Sequence, residues 1–509
     1  MIQPETMHAN IISGVLINVR SPGAVFLSGS ILYIFINFFI FKLLIMQLLI
    51  NHRFLLKPLT ALLLFVLLDS CKKTDRISEP LTGPKTLSKA ANSSPKLSGE
   101  SADVVYQWYH FMEVLQRPVN PQPNPIVASR RFAYIGIGLF ESVQPGINGG
   151  SSFGPKLIEM PAMPKPDNSK EYLWSASANA ALSSLFKLFA PNLSPADMAA
   201  IDANEAAVRN QLSSTTTEDV LQRSEAFGRS IATAIFNWST TDNFSVASTT
   251  YTQVNEPWAW VPTPTAFAPP FGADLRYSRP LLKYSQTATA PPIPVRYSED
   301  PNSAFYAAVK EVQNLGGTLT ATAANKATAN WWADAGGPGT GVPAPYHFLS
   351  VVTRVLESQN AGLWKAAEVY AKTGIALKDG PINTFRAKYQ YNLLRPITYI
   401  QRDIDVTWLP HLPTPPYPEY TSGLVGLFGP VVQVLINEFG DISVTDDTYA
   451  WRGLPARHYN SLSQMREEAS VSRVYAGIHY RFTQDISVQM GIDLGNEIAK
   501  VTVVGPEYK

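Results

Sequence analysis

From Ala102 onward apolar residues recur at helical spacing, and no segment shows the alternation of a half-buried strand; this confines the chain to an all-α fold, one large domain of bundled helices. Val104, Val105, Trp108, Phe111, Met112 and Leu115 form the first stripe. Residues 126–143 predict a second helix, carrying Arg130 and Arg131, and 172–189 a third. Ser194-Pro195-Ala196-Asp197 sets a capping serine, a first-turn proline and an acid at the start of a helix to about Leu212. Another follows over 218–238. Further helices are expected at 303–315, 321–335, 346–355, 362–379 and 382–394. Residues 239–300 break the pattern. They are rich in Pro, Thr, Ala and Tyr, with Pro257-Trp258-Ala259-Trp260-Val261-Pro262-Thr263-Pro264 inside, and read as a long packed excursion over the helical body.

Composition narrows the function classes. The 509 residues carry a formal net charge of +1, which argues against nucleic-acid binding through a broad basic surface. Apolar residues make up 45%, ample for a large core. The single cysteine, Cys71, excludes an intrachain disulfide and a cysteine metal site. Its setting is a leader: Arg53 and Lys57, an apolar run over 55–68, then Leu68-Asp69-Ser70-Cys71. That arrangement resembles a bacterial lipobox, with Cys71 lipidated and the protein held at the outer membrane or facing the periplasm. Residues 1–71 are therefore read as signal and lipoprotein leader. A second apolar run over 31–45 suggests that the natural start is Met46; the alternative is a membrane span over 25–50. Residues 72–100 are polar and read as a flexible tether, leaving 101–509 as the helical domain.

Three short clusters in the last quarter carry the chemistry. The first is Lys388-Tyr389-Gln390-Tyr391-Asn392-Leu393-Leu394-Arg395-Pro396, the second Thr414-Pro415-Pro416-Tyr417-Pro418-Glu419-Tyr420-Thr421-Ser422-Gly423-Leu424, and the third Ser472-Arg473-Val474-Tyr475-Ala476-Gly477-Ile478-His479. Lys388 and Arg395 lie about two helical turns apart, so their long side chains can meet over one anion. Pro396 biases Arg395 to a helix end. Ser422-Gly423 opens an apolar stretch and offers a hydroxyl, free N–H groups and the positive end of a helix dipole. Arg473 adds a forked cationic donor. Gly477 can end its helix and turn His479 into a cleft. Three cations, a Ser-Gly turn and a histidine suit a phosphate-like or vanadate-like oxyanion.

These clusters resemble the three-part signature of the vanadium-dependent haloperoxidases and type 2 phosphatidic acid phosphatases: K-x6-R-P, P-S-G-H, and S-R-x3-G-x-H-x3-D. The resemblance implies a helical bundle of the haloperoxidase and acid phosphatase type. It implies vanadate, or phosphate in the same place, held by Lys388, Arg395, Ser422, Gly423 and Arg473, with His479 as the one protein ligand of vanadium and Lys388 polarising peroxide. The substrates would be hydrogen peroxide and a halide. The runner-up is a periplasmic phosphatase acting on a phosphate ester through a phosphohistidine at His479. A third reading is a non-catalytic oxyanion-binding or interaction protein that kept the fold. The resemblance is also compatible with a homodimer.

Two positions depart from the signature. Leu424 stands where the family's acid–base histidine is expected, and leucine cannot transfer a proton. Thr483 stands where an aspartate would orient the site histidine, with Asp485 two residues later. His411 and His458 are the candidates to replace the missing acid–base group. Tyr417 occupies the place of a pocket aromatic. His347 is expected to pack structurally.

Overall fold

A computed structural model describes residues 99–119, 121–334 and 341–503, and fourteen α-helices supply nearly all of their regular structure. The leader with Cys71 and Met46, and the tether up to residue 98, lie outside these residues. Among the described residues no helix is long and apolar enough to cross a membrane. Glu100 is already tied into the fold. Its carboxylate accepts the backbone N–H of Trp174 at 3.1 Å and Ser175 at 2.7 Å, supplying the cap that the helix at 174–189 lacks in its own sequence.

The first half is a bundle of α1 (Asp103–Gln116), α2 (Pro125–Val143), α3 (Trp174–Phe189), α4 (Pro195–Ser213) and α5 (Glu218–Ser239). Asn124 caps α2, and Ser194 and Asp197 close a reciprocal capping box on α4. The excursion follows, with the short α6 (Lys283–Thr287) near its end. It is packed, as its aromatics predict. Trp260 donates its N–H to Asn392 O at 2.8 Å, Leu394 to Trp258 O at 2.9 Å, and Phe271 to Pro416 O at 2.9 Å. Tertiary hydrogen bonds thus satisfy a backbone that has no ladder of its own.

Then come α7 (Ala304–Gly316), α8 (Ala323–Trp331), α9 (Ala344–Ser358), α10 (Leu363–Tyr391), α11 (Pro396–Asp403) and α12 (Gly423–Phe439). A short antiparallel pair, β1 (Val444–Asp446) with β2 (Arg457–Tyr459), precedes α13 (Leu462–Tyr475) and α14 (Arg481–Ala499). These strands are too short for any alternation to show in the sequence.

Helix α10 is the axis of the molecule. It packs against α2 on one flank and α12 on another, and nearly all its residues are buried. A Cβ at Gly136 of α2 would sit 2.4 Å from Tyr370 O, so the close approach of these two helices requires glycine. The two helices expected at 362–379 and 382–394 are one, running through Pro381. An interior proline costs about 3 kcal/mol. Burial of the helix on both flanks outweighs that penalty, which local sequence rules cannot weigh. The helix also ends earlier than expected, because Asn392 turns left-handed at φ 50° and donates its N–H to Lys388 O at 2.8 Å.

Candidate active site

The three clusters converge at one end of α10. Lys388 lies in the last turn of α10, and Arg395 is the N-cap of α11, with Pro396 at the first helical position as expected. Ser422 caps α12, and Arg473 sits in the last turn of α13. Gly477 has φ +79°, a left-handed turn that stops α13 and returns the chain so that His479 points inward. A Cβ there would lie 2.4 Å from Gly316 O, so glycine is required twice over.

His479 is 2% exposed, and its ring is fixed at both nitrogens. Nδ1 lies 2.7 Å from Glu419 Oε1, and Nε2 lies 3.2 Å from Arg395 Nη1. Glu419 is wholly buried. Its Oε1 also accepts the Tyr480 N–H at 3.0 Å, and its Oε2 accepts the Thr483 hydroxyl at 2.7 Å. Burial raises the His479 cost of charging, and Arg395, Lys388 and Arg473 add to it, so its pKa falls well below the usual imidazole range. The ring is neutral, with its proton on Nδ1 toward the carboxylate and its unprotonated Nε2 accepting from Arg395 Nη1.

Glu419 therefore fills the place that the expected aspartate at 483 would hold. Thr483 buttresses Glu419 rather than His479, and Asp485 interacts with Arg481 and Glu311 instead. Sequence reasoning missed Glu419 as an orienting group. The available signal was a lone carboxylate three residues before Ser422, in a chain whose third cluster lacks its own.

The cations divide into two roles. Lys388 is fully buried, and its ammonium donates to Pro418 O at 2.9 Å, to Glu419 O at 3.1 Å and to Thr421 O. All three of its protons hold the loop that presents Glu419 and Ser422. Burial, then Arg395, push its pKa well down, against the pull of Glu419. Arg395 donates Nε to Tyr417 O at 2.9 Å and Nη1 to Ile478 O at 2.8 Å, while Nη2 is buried without a partner among the described residues. The Tyr417 ring lies 4.7 Å from Lys388 Nζ and 5.0 Å from the Arg395 guanidinium, so it packs against both cations. Arg473 is braced by Trp332 O at 2.8 Å, and burial lowers its pKa to about 10, still charged at neutrality.

A cavity of about 310 Å³ opens on this cluster. His479, Arg473, Gly423, Leu424 and Tyr417 form one part of its wall, and Phe271, Phe385 and Leu427 make it largely apolar. Ser422 Oγ, like Arg395 Nη2, is buried with no partner. Buried donors are rarely left bare. A guanidinium nitrogen and a hydroxyl without partners among the described residues are donors that a tetrahedral oxyanion needs, and the unprotonated His479 Nε2, held by Arg395 Nη1, is a lone pair that a central atom can take, so the residues present fit vanadate or phosphate.

The other candidates lie elsewhere. His411 lines a different cavity and bonds Asn330 Oδ1 at 2.9 Å. His458, on β2, bonds Thr445 Oγ1 at 2.9 Å. Neither replaces the group lost at Leu424. His347 is fully buried between two carboxylates, Asp334 at 2.7 Å and Asp446 at 2.8 Å.

Comparison with known proteins agrees with the helical fold. The family model for the VCPO second helical-bundle domain matches residues 368–503. The structure resembles a bacterial vanadium-dependent iodoperoxidase with TM-score 0.70 and 27% identity, covering 82% of this chain and 100% of that one. It also resembles a holo-type bacterial vanadium-dependent chloroperoxidase (TM-score 0.55, 14% identity, 81% and 98% covered). The apo-type bacterial chloroperoxidase gives TM-score 0.56 at 15% identity, with 77% and 96% covered. The last two speak for the fold alone. No curated protein matches the chain.

Proposed function

This chain is a member of the vanadium haloperoxidase and type 2 phosphatidic acid phosphatase superfamily, and on that premise we propose that it is a vanadate-dependent haloperoxidase that oxidises iodide with hydrogen peroxide. The observation that carries the reading is His479. Glu419 holds its proton on Nδ1, so Nε2 is unprotonated; it accepts from Arg395 Nη1, and His479 lines the cavity. Vanadate bound there supplies a Lewis-acidic centre that activates peroxide toward halide without a change of oxidation state. The protein's part is electrostatic and positional. Arg395 and Arg473 hold the oxyanion's charge in a water-poor site, where such contacts are strongest. Ser422 Oγ and the amides at the start of α12 add neutral donors. Lys388 contributes its charge through the loop it ties down. Iodide is proposed over the heavier-demand halides because the iodoperoxidase is the relative with 27% identity.

The test is calorimetric titration of orthovanadate, with phosphate as competitor, beside a His479→Ala control, followed by peroxide-plus-iodide turnover. Saturable binding lost in the control, with turnover that requires vanadate, supports the proposal. Binding with hydrolysis of a phosphate ester and no halide oxidation would point to the phosphatase instead, since an unprotonated Nε2 is also what a phosphohistidine requires. Absence of any oxyanion binding would leave a non-catalytic scaffold. Lipid anchoring at Cys71 belongs to the same proposal, and the mass of the N-terminal peptide from native membranes would reveal it.

A further inference from the structure

Leu424 removes the proton-exchanging side chain expected at the second cluster, yet the same cavity wall contains a carboxylate that has one bare oxygen. Asp334 lines the cavity together with Arg473 and His479 and is 8% exposed. Its Oδ1 accepts from His347 Nδ1 at 2.7 Å and from the Tyr449 hydroxyl at 2.6 Å. Its Oδ2 is buried and has no partner among the described residues. Behind it, His347 Nε2 donates at 2.8 Å to Asp446 Oδ2, which also accepts Trp331 Nε1 at 3.0 Å, while Asp446 Oδ1 accepts the Thr448 N–H at 3.1 Å. Both nitrogens of His347 thus donate to carboxylates, so the ring is an imidazolium. Burial pulls its pKa down, but Asp334 and Asp446 override that and push it up to about 10. One carboxylate of this buried triad is satisfied on both oxygens; the other, which lines the cavity with Arg473 and His479, keeps one oxygen without a partner among the described residues.

We propose that Asp334 is the catalytic proton-exchanging residue of this cavity, replacing the group lost at Leu424, with His347 and Asp446 as its positioning residues. The inference rests on the oxyanion-site reading above. With the anion bound, Asp334 carries its proton on Oδ2. In the step it serves, that Oδ2–H bond breaks and the proton goes to the oxygen that leaves as water; an O–H bond of the incoming hydrogen peroxide then breaks and the Oδ2–H bond re-forms. The electron pair stays on the peroxide oxygen, where Arg395 and Arg473 hold its charge, and no electron passes to or from the protein. His347, locked between two carboxylates, keeps Oδ1 occupied and aims Oδ2; Tyr449 also holds Oδ1, and the Asp334 charge in turn favours the charged form of Arg473.

The same arrangement predicts proton uptake on anion binding, because a bare carboxylate oxygen and an oxyanion repel unless a proton lies between them. The experiment is calorimetric titration of orthophosphate, and then orthovanadate, into the full chain in two buffers of different ionisation enthalpy. Wild-type protein should take up about one proton per anion bound. Asp334→Asn places an N–H where the bare oxygen stood, so uptake should vanish and affinity should rise by about tenfold. Asp334→Glu, which keeps the charge, should retain the uptake and covers a folding failure of D334N. No uptake by wild type, or uptake and affinity unchanged in D334N, would overturn the role of Asp334 while the oxyanion site stands. No binding of either anion by wild type would overturn both.

Discussion

Glu419 offers the sharpest test of the site's electrostatics. It is wholly buried, and burial raises its carboxyl from the ordinary 4.5 to about 7 against the opposing pull of Arg395 and the Thr483 hydrogen bond. A shift of that size corresponds to roughly 3 kcal/mol. The folded protein holds this proton at pH values where the unfolded chain has released it. The contribution is therefore fully present below pH 4.5 and is lost as pH rises through 7. Glu419→Gln cannot ionise and keeps the shape of the protonated acid. Its amide oxygen can still accept from His479 Nδ1 and Tyr480 N–H, and Thr483 can turn its hydroxyl to accept from the amide. The two proteins should therefore be of similar stability near pH 5, and E419Q should gain on wild type by about 3 kcal/mol by pH 8. Titration of the neutral His479 is common to both and drops out of the difference. Urea unfolding of both proteins across this range reads the quantity directly. A stability difference that stays flat from pH 5 to pH 8 would refute the claim that burial dominates at Glu419.

Other perturbations separate the remaining roles. Gly477→Ala forces a side chain into a left-handed turn, 2.4 Å from Gly316 O and 2.9 Å from Pro410 Cα; it should cost about 2 kcal/mol or more in urea unfolding and weaken oxyanion binding through His479. Arg395→Met should lower phosphate and vanadate affinity by about tenfold to hundredfold in calorimetry. Its melting temperature should fall, since Tyr417 O, Ile478 O and His479 Nε2 lose their donor and the buried Glu419 loses a compensating charge. Leu424→His should raise iodide turnover by less than the roughly hundredfold that a new acid–base group supplies, because Asp334 already serves, and the full gain should appear in the Asp334→Asn background. A full gain in the wild-type background would count against Asp334.

Much of the site was legible because its residues come in short local clusters. Lys388 and Arg395 flank a helix end, Ser422 caps α12, and Gly477 must turn the chain before His479; each of these follows from local geometry and is found in the structure. The helical class was legible for the same reason, since a 3.6-residue period is a property of neighbours in sequence. What each polar atom does was not legible. Lys388 and Arg395 look alike as cations, but one spends its three protons on loop carbonyls and the other keeps a free nitrogen.

Partners brought from far along the chain decide the rest. Glu419 reaches His479 across sixty residues, and Asp334 meets His347 and Tyr449 beside the same cavity. Pro381 continues a helix because α2 and α12 bury its flanks. Periodicity, caps and turn residues are set by interactions within a few residues, so the sequence by itself determined the helical class, the order of the clusters and the kind of ligand they suit. Burial and hydrogen-bond saturation are sums over the folded surroundings of each group. Only the tertiary structure, therefore, decided which carboxylate orients His479, which cation keeps an unpartnered nitrogen among the described residues, and which carboxylate lines the cavity beside Arg473.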